Sequence, residues 1–261
     1  MGMIAGLCAL PFLPPLDPAA WKYLILSTPI HGLYFAFLLN AYAHGDLSHI
    51  YPIARGLSPL LVMLASHHLV GEILRAQDVV GIVMMSGGVI ALALPQRSAE
   101  PGAAGHHWLA TLFAMMAGVC IAAYIVVDGL GVRHSGPTFD QRVAYVAWLL
   151  VFGGPWLLGL ALWLKPKTVA LHLRKHWRRA AIAGVLSNGA YAITIYALAL
   201  GPLSHVAALR ETSVLFGALI GAVFLHERFG IVRLAAAVVI VLGLALMNGP
   251  TVFEPVRALS R

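Results

Sequence analysis

Along this chain apolar residues gather in runs of about 20, the length an α-helix needs to cross roughly 30 Å of hydrocarbon. The runs fall at about 22–43, 47–70, 78–95, 107–128, 143–164, 178–200, 203–225 and 230–249, which predicts eight spanning helices. A ninth run, MGMIAGLCALPFL, stops at Pro14-Pro15 after about a dozen residues, half a span. It carries neither the basic start nor the small-residue cleavage site of a secretory signal. Short breaks such as HGDLSH and GPLSH, punctuated by Gly, Pro, Asp and Ser, leave no room for a soluble domain. The longest break, KPKTVALHLRKHWRR at 165–179, holds six Lys or Arg, with Trp163 and Trp177 as interface anchors. It reads as a cytoplasmic loop first, and as a short amphipathic turn along the interface second.

Composition agrees with the pattern. Of the 261 residues 60% are hydrophobic and 10% charged, and the mean hydropathy is +0.86. Soluble domains carry about 25% charged residues, so the expectation is an all-α, polytopic membrane protein. The net charge of +7 sits mostly in the polar breaks, where it meets headgroups and water, so no nucleic-acid partner is expected. Cys8 and Cys120 lie in apolar runs without CxxC spacing or a His partner, which argues against a disulfide, a metal or a cofactor.

The most informative feature is an internal repeat. In GDLSHIYPIARGLS and GPLSHVAALRETS, the residues Gly45, Ser48 and His49 match Gly201, Ser204 and His205 at an offset of 156. After a one-residue gap, Arg55, Ser58 and Glu72 match Arg210, Ser213 and Glu227 at 155; upstream, Gly32 and Tyr34 match Gly189 and Tyr191 at 157. A five-helix repeat has an odd number of crossings, so its second copy enters the membrane inverted, the construction of many secondary transporters. The copies are residues 1–95 and 107–249, giving a bundle of eight or nine helices in which the first copy is truncated. About fifty residues of that copy, its first helix and part of its second, are expected to be absent; a misassigned start, a fragment and a true eight- or nine-helix variant all fit.

The helix endings LVGEIL and FLHERF, with the final helices GIVMMSGGVIALAL and GIVRLAAAVVIVLGLALM, resemble EamA-type members of the drug/metabolite transporter superfamily over nearly the whole chain. The wording YPIARG and ALRETS resembles a subgroup associated with phosphonate utilisation. The resemblance implies a ten-helix carrier of small metabolites with cytoplasmic termini, working as an exporter in a bacterial inner membrane. Loop charges point the other way: the side bearing 165–179 has nine Lys or Arg against six, which favours an outward carboxyl terminus.

Arg55 lies about 12 Å into its span, and Arg210 takes the equivalent depth. A charge there costs from about 2.5 to well over 10 kcal/mol, so each needs protein or a wet cavity around it. Two readings stand. Either the pair lines a central cavity and binds a carboxylate or phosphonate with its forked donors, or each is structural, with Arg210 paired to Glu211 or a carbonyl and Arg55 snorkelling. Pro59 removes the helical partner of the Arg55 carbonyl and favours the first. Ser58 and Ser213 share a face with the arginines, and His31, Tyr34, Asn40, Asn188, Tyr191 and Tyr196 are placed around them, with Tyr124, Gln141 and Tyr145 as weaker candidates.

Glu72 and Glu227, beside Arg75 and Arg228, read as helix-end charges, and Glu211 is the coupling candidate should a proton gradient drive transport. Asp46 and Asp128 are placed near helix ends. Neighbouring His67-His68 and His106-His107 point in different directions on a helix and suit no shared metal. Gly217 to Gly221, Gly87-Gly88 and Gly184 are expected to let helices approach closely, within a monomer or in a homodimer. The chain thus reads as a secondary transporter of an amino-acid-like, organic-acid or phosphonate solute; a membrane enzyme on lipid-linked substrates and a non-transporting subunit are the rivals.

Overall fold

A computed structural model of the chain describes residues 2–92, 107–164, 166–216 and 231–247, and every predicted span is largely helical where it is described, with a break at Glu211. The helices are α1 (Gly2–Ala9), α2 (Pro18–His44), α3 (Leu47–Ala65), α4 (Ala76–Ala91), α5 (His107–Arg133), α6 (Phe139–Leu164), α7 (Pro166–Leu200), α8 (Leu203–Arg210) and α9 (Ile231–Met247). Among the described residues four segments are long and apolar enough to cross a membrane: Pro18–His44, His49–Val70, Trp108–Arg133 and Lys175–Leu200.

One expectation changes. The basic break 165–179 is helical from Pro166 onward, and the backbone departs from helical geometry at His176 (φ −123°, ψ 21°), so a kink stands where a loop was expected. The loop expectation rested on the six Lys or Arg of this stretch and the positive-inside tendency, which place charge at the water boundary without fixing the backbone there.

The chain forms two compact units, and each draws on both halves of the sequence. The first comprises residues 1–36 and 123–201. In it α1 packs on α6 so tightly that a Cβ at Gly6 would stand 2.6 Å from the Ala147 carbonyl oxygen. Trp21 of α2 forms an aromatic cluster with Trp148 and Phe152 of α6, the Trp rings 5.1 Å apart. The second unit comprises residues 37–122 and 202–261. Its core joins Met63 from α3, Ile82, Met85 and Val89 from α4, Ala208 from α8, and Ile240 and Met247 from α9.

Within this second unit α4 and α9 run antiparallel. A Cβ at Gly81 would meet the Gly243 carbonyl oxygen at 2.6 Å, and one at Gly88 would meet that of Ala236 at 3.0 Å. The Arg75 guanidinium, at the start of α4, reaches the Met247 carbonyl at the end of α9, 3.4 Å away. At the repeat offset of 155, Gly81 corresponds to Ala236 and Gly88 to Gly243. The contact is therefore self-complementary, as across a two-fold axis, which is the arrangement expected of oppositely inserted copies. Of the adjacent pair, Gly88 alone makes the close approach; Gly87 has open space beside it. Gly217 to Gly221 lie outside the described residues.

α3 ends in a π-helical turn, Ser66–Val70, closed by Gly71 at φ 73°. Only glycine adopts that left-handed conformation without strain. The turn brings Glu72 to the start of α8, where it accepts hydrogen bonds from the Leu203 N–H, the Ser204 N–H (3.3 Å) and the Ser204 hydroxyl (3.0 Å). A carboxylate there suits the positive end of the helix dipole. Glu72 fixes a helix end, as its position suggested, but the end belongs to another helix. Glu227 and Arg228 lie outside the described residues. Asp78, buried in the first turn of α4, accepts from the Arg75 N–H and guanidinium at 3.0 to 3.1 Å and lies 3.2 Å from His205 Nε2 on α8.

Candidate functional site

The residues predicted from sequence fall into two clusters, one in each unit. In the second unit, Arg55 from the middle of α3 reaches the broken end of α8. α8 stops at Arg210; the Glu211 N–H bonds the Ala208 carbonyl (2.9 Å), the Glu211 carbonyl takes the Val214 N–H (3.0 Å), and residues 212–216 are helical again. This tightened turn carries the Glu211 side chain, 1% exposed, toward α3. Arg55 Nε lies 3.2 Å from Glu211 Oε2, and Arg55 also donates to the Ser213 hydroxyl at 3.1 Å. Both Arg55 and Arg210 act electrostatically on the Glu211 carboxylate.

In the structural of the two readings, Arg210 pairs with its neighbour Glu211 or with a carbonyl, and Arg55 snorkels toward the interface. Arg55 turns inward, its side chain 13% exposed, and stands at ion-pair distance from Glu211. Sequence neighbours on a helix point about 100° apart, whereas a facing helix can aim a long side chain straight at the acid. The repeat is visible in the chemistry: Arg55 of one copy bonds Ser213 of the other. At offset 155 the counterpart of Glu211 is Gly56, so the acid belongs to one copy only. A side chain there would crowd its neighbours, its Cβ standing 2.6 Å from Ile90 Cγ1 and 3.0 Å from the Ser86 carbonyl oxygen.

The ion pair is incompletely hydrogen-bonded. Arg55 Nε and Glu211 Oε2 are at ion-pair distance without hydrogen-bond angles, and among the described residues Arg55 Nε, both Glu211 carboxylate oxygens and Ser58 Oγ are buried without a hydrogen-bond partner. Ser58 shares the helix but not the bonds, being fully buried. Buried polar atoms are ordinarily satisfied, so such a group marks a place where something else binds or rearranges.

The first unit holds the other cluster. His31, midway along α2, stacks on Tyr124 of α5 with ring centroids 4.2 Å apart, and Tyr34 meets the same ring edge-on at 5.8 Å. His31 Nε2 is 3.0 Å from the Tyr191 hydroxyl on α7, and that hydroxyl donates to Asp128 Oδ2 at 2.6 Å. Tyr145 of α6 donates to Asp128 Oδ1 at 3.1 Å, and the Ser27 hydroxyl stands 3.1 Å from His31 Nδ1. The structure thus gathers His31, Tyr34, Tyr191, Tyr124 and Tyr145 around an acid that sequence reasoning had placed near a helix end. Asp128 is wholly buried. Its signal was present: an aspartate inside the apolar run IAAYIVVDGLGV, one turn after Tyr124 and so on the same face.

The remaining candidates serve their own helices or neighbours. Asn188 Nδ2 donates to the Gly184 carbonyl at 2.6 Å, which occupies the side chain four residues upstream. Gln141 accepts from the Thr138 N–H (3.2 Å) and hydroxyl (3.0 Å), a cap for α6, and Tyr196 packs edge-on against Phe139. The Asn40 carbonyl bonds His44 Nδ1 at 2.7 Å.

Comparison with known proteins now bears on these sites. No curated protein matches the chain. A solved crystal structure superposes with a TM-score of 0.69 at 20% identity, covering 100% of this chain and 84% of its own, a likeness of fold alone. The model of the EamA-like transporter family matches residues 108–249, more than half of the chain. The chain therefore belongs to the EamA-like transporter family, and is a helical, multi-pass membrane transporter of the drug/metabolite type.

Proposed function

We propose that this transporter moves a small zwitterionic metabolite, an amino acid or a close relative, out across a bacterial inner membrane by alternating access. The observation that carries the reading is the buried Arg55–Glu211 pair with its open hydrogen-bonding positions. Removing two charges from water costs several kcal/mol per ion, and attraction offsets this only when the remaining donors and acceptors are filled. A solute carboxylate suits the planar fork of Arg55, with Arg210 adding positive charge and the Ser58 and Ser213 hydroxyls adding donors. A solute ammonium suits the two Glu211 oxygens. An organic acid or a phosphonate would fill the cationic side and leave Glu211 unsatisfied, so a molecule with both charges fits better. Glu211 then contacts solute rather than coupling transport to protons. Export follows the family resemblance, and the match over 108–249 supports reading that stretch as one of two inverted copies.

Counterflow with the full chain in liposomes tests this. Vesicles preloaded with neutral amino acids should exchange labelled amino acid, and Arg55→Gln or Glu211→Gln should abolish the exchange. Exchange confined to organic acids or phosphonates overturns the zwitterionic substrate.

A further inference from the structure

The hydroxyl between His31 and Asp128 leads beyond solute binding. His31 Nδ1 is 3.0 Å from the Ser27 carbonyl oxygen, which can only accept, so Nδ1 carries a proton. The other nitrogen, Nε2, faces the Tyr191 hydroxyl, which has a single proton to give. If Tyr191 gives it to Asp128, its oxygen accepts from His31 Nε2–H, and the site holds an imidazolium beside a carboxylate 3.9 Å away. If Tyr191 turns its proton to Nε2, its oxygen accepts from a protonated Asp128, and both groups are neutral. The two arrangements interconvert when the Nε2 proton passes to the Tyr191 oxygen as the Tyr191 proton passes to Oδ2. Tyr145 offers no such route, because its hydroxyl proton goes to Asp128 Oδ1.

We propose that Asp128, Tyr191 and His31 form a proton-carrying site that takes up and releases a hydron during the transport cycle. Intramembrane Asp and His residues that face one another are the usual parts of proton relays. The surroundings fit. His31 is thirteen residues from either end of α2, about 20 Å at 1.5 Å per residue, which puts it near the middle of the span. Every group packed on the pair from the four helices is neutral and holds it by a hydroxyl or an aromatic face: Ser27 on α2, Tyr124 on α5, Tyr145 on α6 and Tyr191 on α7. No second fixed charge among these groups competes for the proton. The solute contacts at Arg55 and Glu211 belong to the other unit.

The test needs no substrate. The full chain in lipid nanodiscs is titrated across pH while infrared difference spectra follow the carbonyl band of protonated buried carboxyls. The expected result is a titrating band that disappears in Asp128→Asn and whose midpoint moves by about one pH unit in Tyr191→Phe, which deletes one oxygen and keeps the ring contacts. A band that persists in Asp128→Asn and vanishes in Glu211→Gln overturns the assignment. So does a midpoint unmoved in Tyr191→Phe, which decides the matter alone if Asp128→Asn does not fold. Loss of thermal stability in both variants with the band unchanged assigns the cluster a structural role and overturns the proposal as well. Failure of amino acid exchange leaves this outcome untouched, so the two readings fall separately.

Discussion

Glu72 takes both the backbone N–H and the hydroxyl of Ser204, a residue 132 positions downstream, and so closes the first turn of α8 from the end of α3. Pro202 occupies the cap position of α8 and makes no side-chain hydrogen bond there, so the helix depends on a cap supplied from elsewhere. Glu72→Ala is expected to lower stability by about 1–2 kcal/mol, the usual cost of losing a helix cap, and Glu72→Gln by less because its amide oxygen still accepts. Thermal unfolding in lipid nanodiscs measures both; equal losses would assign the effect to charge rather than to capping.

Gly87 and Gly88 are neighbours in sequence and opposites in packing. Gly88→Ala must push its Cβ to 2.6 Å from the Ile240 side chain and 3.0 Å from the Ala236 carbonyl, parting α4 from α9. A loss of about 1–3 kcal/mol is expected for such overpacking. Gly87→Ala meets nothing and should raise stability by up to about 1 kcal/mol through helix propensity. If the two variants unfold together, the close crossing is absent.

For Arg55 and Glu211, taking one charge away leaves the other buried and unmatched. Arg55→Met and Glu211→Leu alone should each destabilise by about 3–5 kcal/mol, while the double variant recovers most of that loss. Counterflow should remain abolished in all three. A double variant that regains transport would show that the pair serves folding only.

Much of this architecture could be read from the order of residues. Runs of the right length gave the helices, because in hydrocarbon every backbone group must be satisfied inside its own segment, and that leaves little choice of structure. The repeat offset of 155 singled out Arg55 with Arg210 and Ser58 with Ser213 as matched polar residues of the two copies. Pairings of single side chains were less legible. Arg55 with Glu211, and Asp128 with Tyr145 and Tyr191, bridge different helices, and nothing in one sequence sets the rotation of one helix against the next. Asp128 was undervalued for a related reason: its distance from the end of an apolar run was counted, but the helix continues to Arg133, about 8 Å further. His31 and Tyr191 were legible as polar aromatics in apolar runs, without the acid that joins them.

Gly131 gives a check on that acid from outside the hydrogen-bonding groups. It lies three residues after Asp128 on α5 and so on the same face, and a Cβ there would collide with the phenol of Tyr145, oxygen and ring alike. Gly131→Ala should therefore displace Tyr145 and break its 3.1 Å bond to Asp128. A buried carboxylate that loses one hydroxyl donor is expected to cost about 1–3 kcal/mol. Tyr145→Phe loses the same bond directly, so the double variant should cost less than the two single losses added together, because both act through one contact. Gly189→Ala, on α7 with open space beside it, is the control and should not lower stability. Strict additivity in the thermal unfolding of these variants would mean that Tyr145 is not held against Asp128 by the gap at Gly131.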